Sequence, residues 1–211
     1  MSVGTERRGM ALRGRPRTFD RDEALGRAME IFWAKGFEGA SMNALIDAMG
    51  IGSPSLYAAF GSKEALFREA VDHYVAGDGS EIWKAVKDAA TAYGAVEAFL
   101  MTTARVFSRT DRPSGCLITL SGLHANDSNE AWRAELIARR AQNTQDLARQ
   151  LKKGVERGEI APTADLEAIA RFFVTVQQGM SIQARDGTEQ AALKDIARAA
   201  LAAWTPLTAS R

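Results

Sequence analysis

The segment GIGSPSLYAAFGSKEAL, residues 50–66, gathers Ser53, Ser55, the Tyr57 phenol and Lys63 around two short helix starts. Hydroxyls and helix-start amides donate to phosphate oxygens, and an ammonium beside them neutralises the charge. The alternative chemistries are thinner. Cys116 and His124 form the one nearby nucleophile and base, but eight residues along a helix separate them by about 12 Å, beyond the hydrogen-bond reach of a Cys–His pair. No phosphate-cradling glycine loop or paired-carboxylate motif stands out. One cysteine rules out an internal disulfide framework, and Cys116, His73 and His124 are too few for a structural zinc site. The expectation is therefore no enzyme, no metal and no cofactor.

The composition is that of an ordinary globular chain: 211 residues, 46% hydrophobic and 25% charged, with a formal net charge of +1. Charge is unevenly placed. Arg7, Arg8, Arg13, Arg15 and Arg17 stand against Glu6 alone, a local charge of about +4 that reads as a flexible basic arm over residues 1–17. The N-terminus lacks an apolar signal stretch, and no apolar run reaches the length of a membrane span, so a soluble cytoplasmic protein without a membrane partner is expected.

Periodicity is helical nearly everywhere. Leu25, Ala28, Met29 and Phe32 mark a helix over 21–35 with Asp20 and Glu23 as a capping box, and Gly36 stops it. Ser41 caps a helix over 42–49, Gly50 ends that one, and Ser53 caps a short third helix with Pro54 at its first position. Gly61 breaks the third, and Ser62 caps a fourth carrying Leu66, Phe67, Ala70, Val71 and Tyr74. Further helices are expected over 81–90, 95–108, 115–124, 130–157, 165–185 and 189–204, with an Asp127/Glu130 capping box and Gly158 as a C-cap. No β-alternation is evident, so the fold class is all-α.

A helix, a tight glycine turn and a second short helix make a helix-turn-helix, whose second helix can enter the DNA major groove. Leu56 and Phe60 would anchor that helix, leaving Ser53, Ser55, Tyr57 and Ala58 outward. The same pattern also suits a plain helical corner, with Tyr57 half-buried and Lys63 solvated. The order of elements favours the DNA-binding alternative, because a long capped helix precedes the pair and an arginine arm stands where such arms reach the minor groove.

Residues 18–71, TFDRDEALGRAMEIFWAKGFEGASMNALIDAMGIGSPSLYAAFGSKEALFREAV, resemble the DNA-binding domain of the TetR family of transcriptional regulators. The spacing of Phe32, Gly36, Phe37, Ser41, Gly50, Ser55, Leu56, Tyr57, Phe60, Lys63 and Leu66 carries the likeness. The resemblance implies a homodimeric, ligand-responsive repressor of about nine helices: a three-helix reader over 18–66 and a larger ligand-binding and dimerisation domain over 67–211. It places DNA contacts on Ser41, Met42 and Asn43, on Ser53, Pro54, Ser55 and Tyr57, and on Lys63, with Arg13, Arg15 and Arg17 in the arm. The implied partners are double-stranded operator DNA, a second copy and a small-molecule inducer. Gly52, Ser53, Ala58 and Ala59 are small, which leaves readout to Asn43, the arm and DNA shape.

In the C-terminal part, SGCLITLSG at 114–122 and QQGMSIQARDG at 177–187 are similar to one branch of that family, in which a Gly-Cys-Leu opens one helix and a Gln-Ala-cation segment closes a later one. Some members of that branch sense electrophiles or oxidants through the cysteine, which makes Cys116 a sensor candidate with Arg185 as the cation near its sulfur. The bland alternative is a small packed thiol. Leu166, Ile169, Phe173, Val176 and Met180 form one apolar stripe, and Leu193, Ile196, Ala197, Ala200, Leu201 and Trp204 another. Both suit a dimer interface, or the protomer's own core. Phe99, Thr103, Phe107, Cys116, Leu120, Leu136, Phe172 and Gln177 are candidate pocket residues.

Overall fold

The structure, a computed structural model, describes residues 19–121 and 130–209. Among the described residues the chain forms α1 (Arg21–Gly39), α2 (Met42–Met49), α3 (Ser53–Phe60), α4 (Lys63–Ala76), α5 (Ser80–Asp88), α6 (Ala92–Phe107), α7 (Leu117–Ser121), α8 (Glu130–Glu156), α9 (Leu166–Arg185), α10 (Gln190–Leu201) and α11 (Trp204–Thr208), with no strand. Two of these, α7 and α11, are only five residues long, which leaves nine longer helices. None is long and apolar enough to cross a membrane. The basic arm and the Asp127 half of the expected capping box lie outside the described residues.

Helix starts follow local chemistry. The Asp20 carboxylate accepts the Asp22 and Glu23 amides at 2.9 and 3.1 Å, whereas Glu23 pairs with Arg27 at 2.5 Å rather than closing a capping box. Ser41 Oγ accepts the Ala44 amide at 3.2 Å and Ser62 Oγ the Ala65 amide at 3.1 Å. Gly50, at φ 66, supplies the left-handed residue that ends α2 and lets α3 start three residues later. The cap of α3 differs from the expectation: Gly52 occupies it, Ser53 is already helical, and no side chain accepts from the first turn.

Packing forms two hydrophobic clusters. The first joins α1–α4 through an aromatic knot: Phe67 meets Phe32, Phe37 and Trp132 at ring-centroid distances of 5.0, 5.3 and 5.4 Å, and Trp33 meets Tyr74 at 4.8 Å. It also takes in Leu117 and Ile118 of α7 and Trp132 and Leu136 of α8. Leu66, Phe67, Ala70, Val71 and Tyr74 of α4 all belong to it, so α4 runs on as part of this cluster past residue 66. The second cluster is mainly aliphatic and unites α5, α6, α8, α9 and α10.

Most residues of the two stripes that suit either a partner chain or the protomer's own core are turned into that core. Ile169, Phe173 and Met180 of α9 and Leu193, Ala197, Ala200 and Leu201 of α10 are buried in the second cluster, and Leu166, Val176, Ile196 and Trp204 pack half-buried against it. Each helix carries one broad apolar stripe, and the neighbouring helices of the protomer cover it. The outward face of α9 presents Ala168, Arg171, Phe172, Thr175, Gly179 and Ile182.

Candidate nucleic-acid interface and inner cavity

Leu56 and Phe60 are buried and anchor α3 against a cluster that includes Leu45 and Met49 of α2. The opposite side of α3 is open: Pro54, Ser55 and Ala58 are exposed, Ser53 is half-buried, and Tyr57 is 49% exposed. With no side-chain cap, the Ser53 and Ser55 amides at the start of α3 remain available to an anion, while Pro54 has none and the Leu56 amide donates to the Gly52 carbonyl at 3.0 Å. At the start of α2, Ser41 and Asn43 are exposed, while Met42 is half-buried against the aromatic cluster. Lys63 opens α4 with its ammonium 4.4 Å from the Phe37 ring centroid. Burial lowers its pKa, and Glu38 and Glu64 oppose that shift. Arg13, Arg15 and Arg17 lie outside the described residues.

One clamp that holds this face was not foreseen in the sequence. Arg21 donates to both Glu69 carboxylate oxygens at 2.8 and 2.7 Å and to the Ala59 carbonyl at 3.3 Å, with its guanidinium 4.4 Å from the Phe60 ring centroid. A single side chain thereby fixes α3 between α1 and α4. Its partner lies 48 residues away, so only the residue types, not the pairing, were visible.

A cavity of about 60 Å³ opens between the two clusters, lined among others by Tyr74, Trp83, Phe107, Cys116, Asn143 and Gln177. That volume exceeds what one water needs. Of the expected pocket residues, Phe107, Cys116 and Gln177 reach it. Thr103 stands behind Gln177, accepting from its Nε2 at 3.1 Å while donating to the Phe99 carbonyl at 2.7 Å, and Phe99 packs on Trp83 at 5.5 Å between centroids. Leu120 is half-buried. Two expectations fail. Leu136 sits in the aromatic cluster under Trp132, and Phe172 points outward, 39% exposed, because its neighbour Phe173 takes the inward position.

Tyr74 is buried, which holds its phenol well above the ordinary tyrosine pKa, and neighbouring Cys116 adds to the shift. Cys116 directly precedes α7: its carbonyl accepts the Leu120 amide at 3.0 Å and its amide donates to Ser181 Oγ at 2.8 Å. The cation beside it is Arg140 of α8, which donates to the Ile118 carbonyl at 3.0 Å. Burial lowers the pKa of Arg140 and Cys116 opposes the shift. Arg185 does not fill that role. Its guanidinium is turned onto the carbonyls of Trp33, Ala34 and Ser114 at 2.8, 2.8 and 3.0 Å.

Comparison with known proteins gives this geometry a context. Residues 24–70 match the family described as bacterial regulatory proteins, tetR family, and residues 92–202 match a tetracyclin repressor-like C-terminal domain. The chain is 35% identical over 199 residues to the HTH-type transcriptional repressor ComR of Escherichia coli strain K12, covering 92% of this chain and 93% of that protein. It is 30% identical over 176 residues to the repressor BdcR of the same strain, covering 82% and 83%. A solved structure of a cysteine mutant of the TetR family regulator CifR, complexed with 26-base-pair double-strand operator DNA, superposes with a TM-score of 0.88 at 42% identity, covering 90% of this chain and all of that one.

Proposed function

This chain belongs to the TetR family of transcriptional regulators, a family of DNA-binding proteins and not of enzymes, and on that footing we propose that it is a homodimeric repressor released from a palindromic operator by a small molecule. The observation that carries the reading is the open side of α3: an uncapped first turn with Ser55 and Tyr57 facing solvent, and Lys63 at the next helix start. Ser53, Pro54, Ser55 and Tyr57 meet one strand of the groove, Ser41, Met42 and Asn43 meet its edge, and Lys63 pairs with a phosphate. The arm, residues 1–17, follows the minor groove through Arg13, Arg15 and Arg17. Residues 18–66 act as the reader and 67–211 as the ligand-binding and pairing domain, with the protein working in the cytoplasm.

Two-fold DNA requires two copies. The outward face of α9, where Phe172 and Ile182 are exposed, supports pairing there. The inducer occupies the cavity beside Gln177 and Asn143 and favours a dimer whose recognition helices are wrongly spaced, so inducer and operator weaken each other by the same factor. The test is selection of bound sequences from random DNA by the purified full chain. Enrichment of palindromes with half-site centres about 34–36 Å apart is the expected result; absence of enrichment would remove the operator reading.

A second mode of release is supported by Cys116 lining the cavity. An electrophile adds to its sulfur, or an oxidant converts it to sulfenic acid, a mixed disulfide or an intersubunit Cys116 pair, since the chain has no second cysteine. Titration of the operator complex with methylglyoxal or a quinone, beside Cys116→Ser, separates the two modes. Release of the wild type alone supports modification, and identical behaviour returns Cys116 to packing.

A further inference from the structure

The helical path of α1 breaks at Gly36, with φ 71 and ψ 174, just after Lys35 and before the helix ends at Gly39. Carbonyl oxygens in the turn before such a break carry partial negative charge that a cation or donor can satisfy. The partner comes from the far end of the chain. Arg185, the last residue of α9, donates Nη2 to the Trp33 carbonyl and Nη1 to the Ala34 carbonyl, both at 2.8 Å, and Nε to the Ser114 carbonyl at 3.0 Å. One planar fork therefore ties together the turn of α1 before the Gly36 break, the segment before α7 and the end of α9. The flexible point charge of a lysine cannot reproduce that geometry.

The segment between α6 and α7 reinforces the tie. Arg112 Nη1 lies 2.9 Å from Glu30 of α1, and its Nε lies 3.6 Å from Asp78 just beyond α4. The same segment is seated tightly on α9. A Cβ added at Gly115, whose φ is 78, would lie 2.6 Å from the Ser181 carbonyl. The DNA-reading helices are thus held to α9 by polar contacts with fixed direction, apart from the apolar packing of α4 and α7.

We propose that Arg185 is a positioning residue for operator recognition: by holding, from α9, the carbonyls of the α1 turn before the Gly36 break, it fixes the angle of the reader relative to the helix that pairs two copies. The proposal rests on the reading that the chain binds an operator as a dimer through α9. A dimer engages both half-sites only while its two readers hold one relative orientation. Loosening that orientation lowers the competent fraction, and the apparent affinity falls in proportion.

The experiment compares full-length wild type, Arg185→Gln and Arg185→Lys on DNA enriched by the wild type, across a range of salt, and follows amide hydrogen exchange in each. Arg185→Gln is expected to weaken binding about tenfold, the scale of one charge-assisted hydrogen bond. Its salt slope stays that of the wild type, because every phosphate-pairing side chain is still in place. Exchange quickens in residues 33–49 and remains unchanged in α8 and α10. Arg185→Lys, which keeps the charge and perturbs folding less, recovers part of the affinity.

Wild-type affinity and exchange in Arg185→Gln would overturn the proposal. So would a reduced salt slope, which would make Arg185 a DNA-binding side chain, or uniformly faster exchange in all helices, which would make it a simple stabiliser. Failure of the underlying reading looks different: the wild type itself would then enrich no DNA.

Discussion

The two hydrophobic clusters of this chain are made of different materials. Around α1–α4, Phe32, Phe37, Phe67, Trp132, Trp33 and Tyr74 interlock ring on ring, and Arg21 closes the outside with Glu69, Ala59 and Phe60. Around α5–α10 the filling is mainly aliphatic, with a buried Gln177–Thr103 hydrogen bond at its centre and a cavity at its border. Rings in edge-to-face contact have few alternative packings. Aliphatic side chains beside a void that carries a few polar groups can repack at low cost. The first arrangement suits a surface that must stay fixed to fit a groove, and the second a space that must admit something.

The sharpest way to break this contrast is to remove a central ring. Phe67→Ala takes away the ring that Phe32, Phe37 and Trp132 all pack on and is expected to cost about 3–5 kcal/mol by chemical denaturation. A cost below about 1 kcal/mol would show that the aromatic cluster repacks as freely as the aliphatic one. Gly115→Ala probes the seam between the clusters, where φ is 78 and the new methyl carbon would lie 2.6 Å from the Ser181 carbonyl. A destabilisation of about 1–3 kcal/mol is expected, and an unchanged thermal midpoint would mean that the segment before α7 is not pinned.

Smaller effects belong to the aliphatic side. Gln177→Leu removes one buried hydrogen bond but leaves Thr103 donating to Phe99, so about 1 kcal/mol is expected. A cost as large as that of Phe67→Ala would contradict an adaptable cavity. Deleting residues 1–17 should leave the thermal midpoint nearly unchanged while lowering DNA affinity and flattening its salt dependence, by roughly 0.9 in slope for each phosphate that the arm neutralises. An unchanged slope would show that the arm is idle.

Legibility in the sequence follows the range of the interactions. The limits of α2, Met42–Met49, agree with the expectation because Ser41 and Gly50 act within four residues of the helix they bound. The start of α3 was misplaced by one residue: a position before proline disfavours helical backbone, yet Ser53 is helical and Gly52 takes the cap. The helix expected from Gly115 begins at Leu117, since Gly115 turns against Ser181, a contact that no local pattern encodes. The helix expected to reach Trp204 stops at Leu201, and Trp204 opens α11 with its ring 5.6 Å from that of Tyr93.

The site divides in the same way. Tyr57 and Ser55 were legible as outward because Leu56 and Phe60 fix the inward face of a short helix. The apolar stripes of α9 and α10 were legible as stripes, but periodicity cannot tell a partner's helix from a neighbour in the same protomer. The ties of Arg21 to Glu69, Arg112 to Glu30 and Arg185 to Trp33 span 48, 82 and 152 residues. Charged and capping side chains of that separation carry no positional signal until the helices are packed.

On the proposed function, the open face of α3 and the start of α4 meet DNA. The most direct test is a titration of wild-type-enriched DNA with the double variant Tyr57→Ala, Lys63→Ala at several salt concentrations. The fold is expected to remain intact, since Tyr57 is 49% exposed and Lys63 is half-buried at a helix start. Binding should weaken about tenfold or more on every sequence bound, with a salt slope reduced by about 1 for the lysine. Full wild-type affinity in the double variant would contradict that function.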